Sequence, residues 1–354
     1  MLRPSFVWAL VLTVAASVAA ASGAAGAETT ALHFTESRAA RGPLAHTYSI
    51  VARDPATGDL GVAVQSHWFQ VGPTVPWAEP GVGAVATQSF VEVSYGPKGL
   101  ALMRGGKSPH EALDQLTAAD EQRSVRQVAM VDAQGRVAAW TGEKCIPAAG
   151  HKTGEGYSVQ ANLMDKPTVW GAMAAAYEGS AGKPFAERLL AALDAAEAEG
   201  GDIRGRQSAA ILIVSGEKAA EPWGGQKVDL RVDDHPDPLA ELRRLYELHL
   251  AYEAMNAGDE AMAKGDVAAA VGLYTEAAER APDIVELPFW QAVTLFSEGR
   301  EAEALPVFRR VFAAEPRWAE LVQRLPGVGL LPDDPEKMKA ILAVAPGGGE
   351  GEAP

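Results

Sequence analysis

The chain has 354 residues, nearly half of them apolar, a formal net charge of −15 and a single cysteine. That length and apolar content suffice for a sizeable core and suggest two domains. The acidity argues against nucleic acid and anionic membrane surfaces as partners, and one cysteine rules out an internal disulfide.

Residues 1–27 read as an export signal. Arg3 supplies the positive start, Phe6 to Val18 the apolar stretch, and Ala25-Gly26-Ala27 a small-x-small cleavage site. The alternative is an uncleaved anchor, but the apolar run is interrupted at Ser17 and dissolves into Ala, Ser and Gly. The expected location is periplasmic or secreted, off the membrane after cleavage. Residues 28–45 are polar and aperiodic, and are expected to form a disordered lead.

Three strands are predicted next. From His46 to Arg53, Tyr48, Ile50 and Ala52 share one face and Thr47, Ser49 and Arg53 the other, which predicts a strand with one buried face. Asp54-Pro55-Ala56-Thr57-Gly58-Asp59 is a turn, Leu60 to Ser66 returns antiparallel, and Gly81 to Gln88 is a small-residue strand.

The phrases HTYSIVARD, LGVAVQSHWFQVG, VPWAEPGVGAVATQSF and CIPAAGH resemble the domain of unknown function 1028 family. That family is grouped with the N-terminal-nucleophile (Ntn) hydrolases, which share the fold of the proteasome β-subunit. The resemblance covers roughly residues 46 to 215. It implies an α+β fold, an Ntn-hydrolase-like αββα four-layer sandwich, whose first strand opens with a nucleophile. The matching positions are Thr47 or, two residues on along the same face, Ser49.

Farther along, Gly96 to Gly105 and Ser108 to Ala119 read as helices, the second opened by a Ser108/Glu111 capping box with Pro109 at its first position. Val125 to Val131 and Val137 to Trp140 form a hairpin, and Tyr157 to Ala161 a short strand. Helices over Val169 to Glu178 and Pro184 to Glu199 precede strands over Ser208 to Val214 and Lys227 to Val232. The pattern alone gives α+β; the layered sandwich follows from the resemblance.

Near Asp233-Asp234-His235-Pro236-Asp237-Pro238 the chain turns helical. Ala270, Tyr274, Ala277 and Pro282 recur 34 residues later as Ala304, Phe308, Val311 and Pro316, a spacing that resembles the tetratricopeptide repeat. The expected organisation is a sandwich over 46–234, an all-α tetratricopeptide-like domain over 235–344 and a disordered tail over 345–354.

Candidate chemistry begins at Thr47. An N-terminal threonine uses its own α-amine as base, since that amine titrates near neutrality. Signal cleavage leaves Glu28 first, so a second cut between His46 and Thr47 is required. Where the proteasome-type fold carries an Asp after the second strand, this chain has Gln65-Ser66-His67; where it carries a Lys on the third, it has Ala86-Thr87-Gln88. Gln65, Ser66, Gln88 and Ser89 are then candidates for a polar substrate pocket with His67 as base, against a satisfied histidine beside Trp68 and Phe69. Cys145 and His151 could make a thiolate pair, or Cys145 is a small buried hydrophobe. Relatives in the superfamily imply an oxyanion-holding role for Asn162, with Gln160 orienting. Arg204 and Arg206 could clamp a substrate carboxylate, or pair with Asp202. Cys/His zinc spacing, a GxxxxGK[ST] loop and a GxGxxG turn are absent from the sequence, so neither metal nor cofactor is expected.

Two functions fit. One is an exported hydrolase of a small amide or peptide bond. The other is a non-catalytic periplasmic module that binds a ligand, or a protein partner at the helical repeats. A homo-oligomer is left open.

Overall fold

The computed structural model describes residues 44–45, 47–221 and 224–347. The export signal, most of the lead and most of the tail lie outside them.

Two antiparallel sheets stack face to face. One contains β1 (Leu44–Ala45), β4 (Pro76–Glu79), β5 (Gly83–Phe90), β6 (Arg126–Asp132) and β7 (Val137–Thr141), in the order β1-β5-β6-β7 with β4 also paired to β5. The other contains β2 (Thr47–Arg53), β3 (Leu60–Ser66), β8 (Gly150–Gly154), β9 (Tyr157–Ala161), β10 (Ser208–Val214) and β11 (Gln226–Val232), in the order β11-β10-β3-β2-β9-β8. Helices α1 (Tyr95–Arg104) and α2 (Pro109–Ala118) cover the outer face of the first sheet through Leu100, Met103, Leu113 and Met130. Helices α3 (Val169–Gly179) and α4 (Phe185–Ala198) cover the outer face of the second through Met173, Leu189 and Leu193. The layer order is helix, sheet, sheet, helix, within an α+β fold.

Strand β2 corrects the expectation of one buried face. Tyr48, Ile50 and Ala52 pack against α3 and α4, while Val51 packs with Val62 and Ala84 between the sheets. Thr47 and Ser49 are fully buried as well. A second sheet lies on the face that period two assigns to solvent. The close layering shows at Gly61, where a Cβ would come within 2.8 Å of Leu189 and Phe185 on α4. Three strands were not anticipated. β1 occupies the last residues of the lead, β4 begins at a proline, and β8 is Gly-His-Lys-Thr-Gly with little apolar content. The Ser108/Glu111 capping box of α2 forms as expected.

Beyond β11 the chain is helical: α5 (Pro238–Ala263), α6 (Val267–Arg280), α7 (Glu286–Ser297), α8 (Glu301–Ala314), α9 (Arg317–Val322) and α10 (Pro335–Leu342). Ala270, Tyr274 and Ala277 on α6, and Ala304, Phe308 and Val311 on α8, are all buried. The 34-residue recurrence therefore marks the inward faces of two helices. Leu239, Leu242 and Tyr246 at the start of α5 belong to the sandwich core, whereas Ala251 and Ala254 pack with Ala277 and Leu287 in the helical half. No helix among the described residues is long and apolar enough to cross a membrane.

Candidate functional site

Three pairs of directly opposed residues build a polar layer between the sheets at the end of β2: Thr47 with Ser66, Ser49 with Gln160, and Gln88 with Gln127. Antiparallel register alone sets each pair side by side on one face. Stacking the sheets then brings the pairs together.

Thr47 Oγ1 donates to Ser66 Oγ at 3.1 Å. The Thr47 carbonyl accepts from Gln88 Nε2 at 3.1 Å, from the Asn162 backbone N–H at 3.1 Å and from Asn162 Nδ2 at 3.4 Å. Ser49 Oγ donates to Gln88 Oε1 and accepts from Gln160 Nε2, both at 2.6 Å, and Ser158 Oγ donates to Gln160 Oε1 at 3.0 Å. Gln127 is the hub. Its Oε1 accepts from Gln88 Nε2 at 2.7 Å and Asn162 Nδ2 at 2.9 Å, while its Nε2 donates to Thr141 Oγ1 and the Ala161 carbonyl, both at 2.9 Å. Gln88, Gln127, Ser158, Gln160 and Asn162 are all fully buried.

Because Thr141 Oγ1 accepts a hydrogen bond from Gln127 Nε2, its own hydroxyl proton is available to His151 Nδ1 at 2.8 Å. That arrangement suits the neutral ring with its hydrogen on Nε2. Desolvation also lowers the His151 pKa. The network thus runs from the Thr47 carbonyl to an imidazole through amides and one hydroxyl. The two non-glycine residues with positive φ among the described residues, Ser89 (73°) and Leu163 (59°), directly follow Gln88 and Asn162. Backbone strain is concentrated where two network amides are aimed, a pattern frequent at functional sites.

Of the residues singled out from the sequence, Thr47, Ser49, Ser66, Gln88, Gln160, Asn162 and His151 come together. The others do not join them. Gln65 lies on the opposite face of β3 from Ser66, and both polar atoms of its fully buried side chain lack partners among the described residues. His67 turns its Nδ1 to the Arg206 carbonyl at 3.3 Å. The Ser89 hydroxyl is buried beside Cys145, outside the amide network. Cys145 Sγ donates to the Arg126 carbonyl at 3.3 Å, and burial pushes its thiol pKa up, against a thiolate at neutral pH. Arg204 holds Asp202 through Nε at 3.0 Å and a terminal nitrogen at 2.7 Å, and Arg206 pairs with Glu197 and Asp237. Sequence reasoning passed over Gln127, Thr141 and Ser158. The available signal for Gln127 was an amide at the head of the apolar run Val-Ala-Met-Val.

Residues 47–242 match the model of a family of unknown function, DUF1028. The chain belongs to this family. Among solved structures, the crystal structure of a DUF1028 protein from Silicibacter pomeroyi is similar at 34% identity and a TM-score of 0.52, covering 57% of this chain and 85% of that one. No curated protein matches the chain. The DUF1028 match ends at residue 242, inside α5. It takes in the whole network and leaves most of the helical half outside.

Proposed function

We propose that this DUF1028 protein is an exported amidohydrolase of the Ntn type, with Thr47 as nucleophile once the chain is cut after His46. The observation that carries the reading is the chemistry around Thr47. Ser66, Gln88 and Asn162, which bond Thr47, bring a hydroxyl and two amides to it, groups that orient but do not accept a proton near neutrality. The α-amine of a newly N-terminal Thr47, titrating at about pH 8, supplies a base on the nucleophile itself. It takes the proton from Oγ1 as oxygen attacks the amide carbonyl, and passes it to the departing amine. Water then hydrolyses the ester. Amides fixed on the Thr47 carbonyl hold the residue in place for both steps. The helix–sheet–sheet–helix order and the resemblance to Ntn hydrolases support the same reading.

Intact mass and N-terminal sequencing of exported protein test it. The mature chain is expected to begin at Thr47, and an electrophilic amide analogue is expected to label Thr47 and to fail on Thr47→Ala. A chain that begins near Glu28 and takes up no label removes this reading.

A second reading concerns the helical half, roughly residues 235–344. We infer a tetratricopeptide-like domain that docks a protein partner. The supporting observation is the burial of Ala270, Tyr274 and Ala277 and of their counterparts 34 residues on, Ala304, Phe308 and Val311. The two readings are compatible: one places chemistry in the sandwich, the other recognition outside it.

A further inference from the structure

A cavity of about 530 Å³ opens in the helical half, walled by the end of α5, α6, α7 and the turn around Gly329. Its lining is mainly apolar and aromatic: Met255 and Met262 from α5, Tyr274 from α6, Trp290 from α7 and Leu330 from the turn. Asp259 is the single charged residue on that wall. Tyr274 donates its hydroxyl proton to Asp259 Oδ1 at 2.6 Å, which holds the carboxylate at the cavity wall.

We propose that this cavity binds a lysine or arginine side chain of a partner peptide whose neighbouring residues are apolar. The proposal rests on the docking reading of the helical half and names its chemistry. Three observations carry it. A lone carboxylate among aromatic and thioether side chains complements a cation on an aliphatic stem: the stem lies on Met and Trp, and the charge meets Asp259. A cation over an aromatic face is attracted by the ring quadrupole, and methionine adapts to varied neighbours. Second, the large exposed hydrophobics Val328 and Leu330 sit on the same turn, Leu330 at the cavity wall, so the rim presents apolar surface to a partner. Third, residues 238–347 carry 18 carboxylates against 11 lysines and arginines, a field that draws a basic segment.

The test uses the full chain and three fluorescein-labelled nonapeptides of leucine and glycine. Each carries lysine, acetyl-lysine or glutamate at its centre, and binding is read by anisotropy at about 0.15 M salt, where the Debye length is about 8 Å. The lysine peptide is expected to bind at least tenfold more tightly than the other two. Asp259→Asn is expected to bring it down to the acetyl-lysine level, and Leu330→Ser, at an exposed position, to weaken all three. Equal affinity for the three peptides, no binding of any, or an unchanged preference in Asp259→Asn overturns the proposal. So does displacement of the lysine peptide by millimolar tetramethylammonium, which makes the ligand a small organic cation, or concentration-dependent self-association abolished by Leu330→Ser, which makes the occupant a second copy. Labelling at Thr47 is independent of all these outcomes, so failure here leaves the amidohydrolase reading untouched.

Discussion

The two faces of the six-stranded sheet handle buried amides in opposite ways. On the inner face, Ser49, Gln160 and Asn162 meet Gln88 and Gln127 of the other sheet, and these fully buried side chains satisfy one another. On the outer face, toward α3 and α4, Gln65 is just as buried and neither end of its amide finds a partner among the described residues. Buried amides are stabilising or costly according to their partners, not their burial. The faces also differ in charge. The inner layer around Thr47 and Ser49 is built from hydroxyls and amides, whereas the outer one contains Tyr48 bonded to Glu197 at 2.8 Å and Arg188 beside Asp54 and over the Tyr177 ring.

The largest effect is expected at the hub. Gln127→Ala removes the acceptor that Gln88 Nε2 and Asn162 Nδ2 share and leaves a cavity in the interior, and the expected loss is about 3 kcal/mol, read as a lower urea midpoint. A loss below about 1 kcal/mol would show that the inner amides do not depend on each other. Gln65→Leu should move stability the other way, by about 1 kcal/mol, because it removes an unpaired buried amide at little change in volume. A clear destabilisation there would erase the contrast between the faces.

The smallest effect is set by pH. Burial pushes the Tyr177 phenol up to about 12, and burial also raises Tyr48. The folded state therefore holds these protons longer than the unfolded chain, whose tyrosines titrate near pH 10. The stabilisation is fully present below about pH 10 and is lost as pH rises through about 12. Tyr177→Phe should flatten the fall in stability between those values, while Gln127→Ala should leave its slope unchanged. A flattened slope in the hub variant would place titrating groups in the inner layer.

Much of the fold was legible because hydrophobic spacing is local. The hairpins, the capped α2 and the 34-residue recurrence each declare themselves within a few tens of residues. The site was legible only in part. Thr47, Ser49 and Gln88 stand out as polar residues on strands, but the polar layer depends on which strand lies opposite which. Gln127 becomes a partner of Gln88 only when β6 pairs with β5 in one register, and both meet Asn162 only when the sheets stack. Parity misled at Gln65: it adjoins Ser66 in sequence, yet successive side chains on a strand point to opposite faces. Arg204 and Arg206 gather by charge around Asp202 and Glu197, and the His67 backbone N–H bonds Asp202, all away from the amides.

Helix α5 is gripped in two places, by the sandwich at Leu239, Leu242 and Tyr246 and by the helical half at Ala251 and Ala254. At 1.5 Å per residue its 26 residues span roughly 39 Å. Such a shaft is indexed like a screw. One residue added or removed between Tyr246 and Ala251 advances one grip against the other by only about 1.5 Å but turns it by roughly 100°. The heading of the helical half is therefore encoded in the count of the four residues between Tyr246 and Ala251, and it can change only in coarse rotary steps.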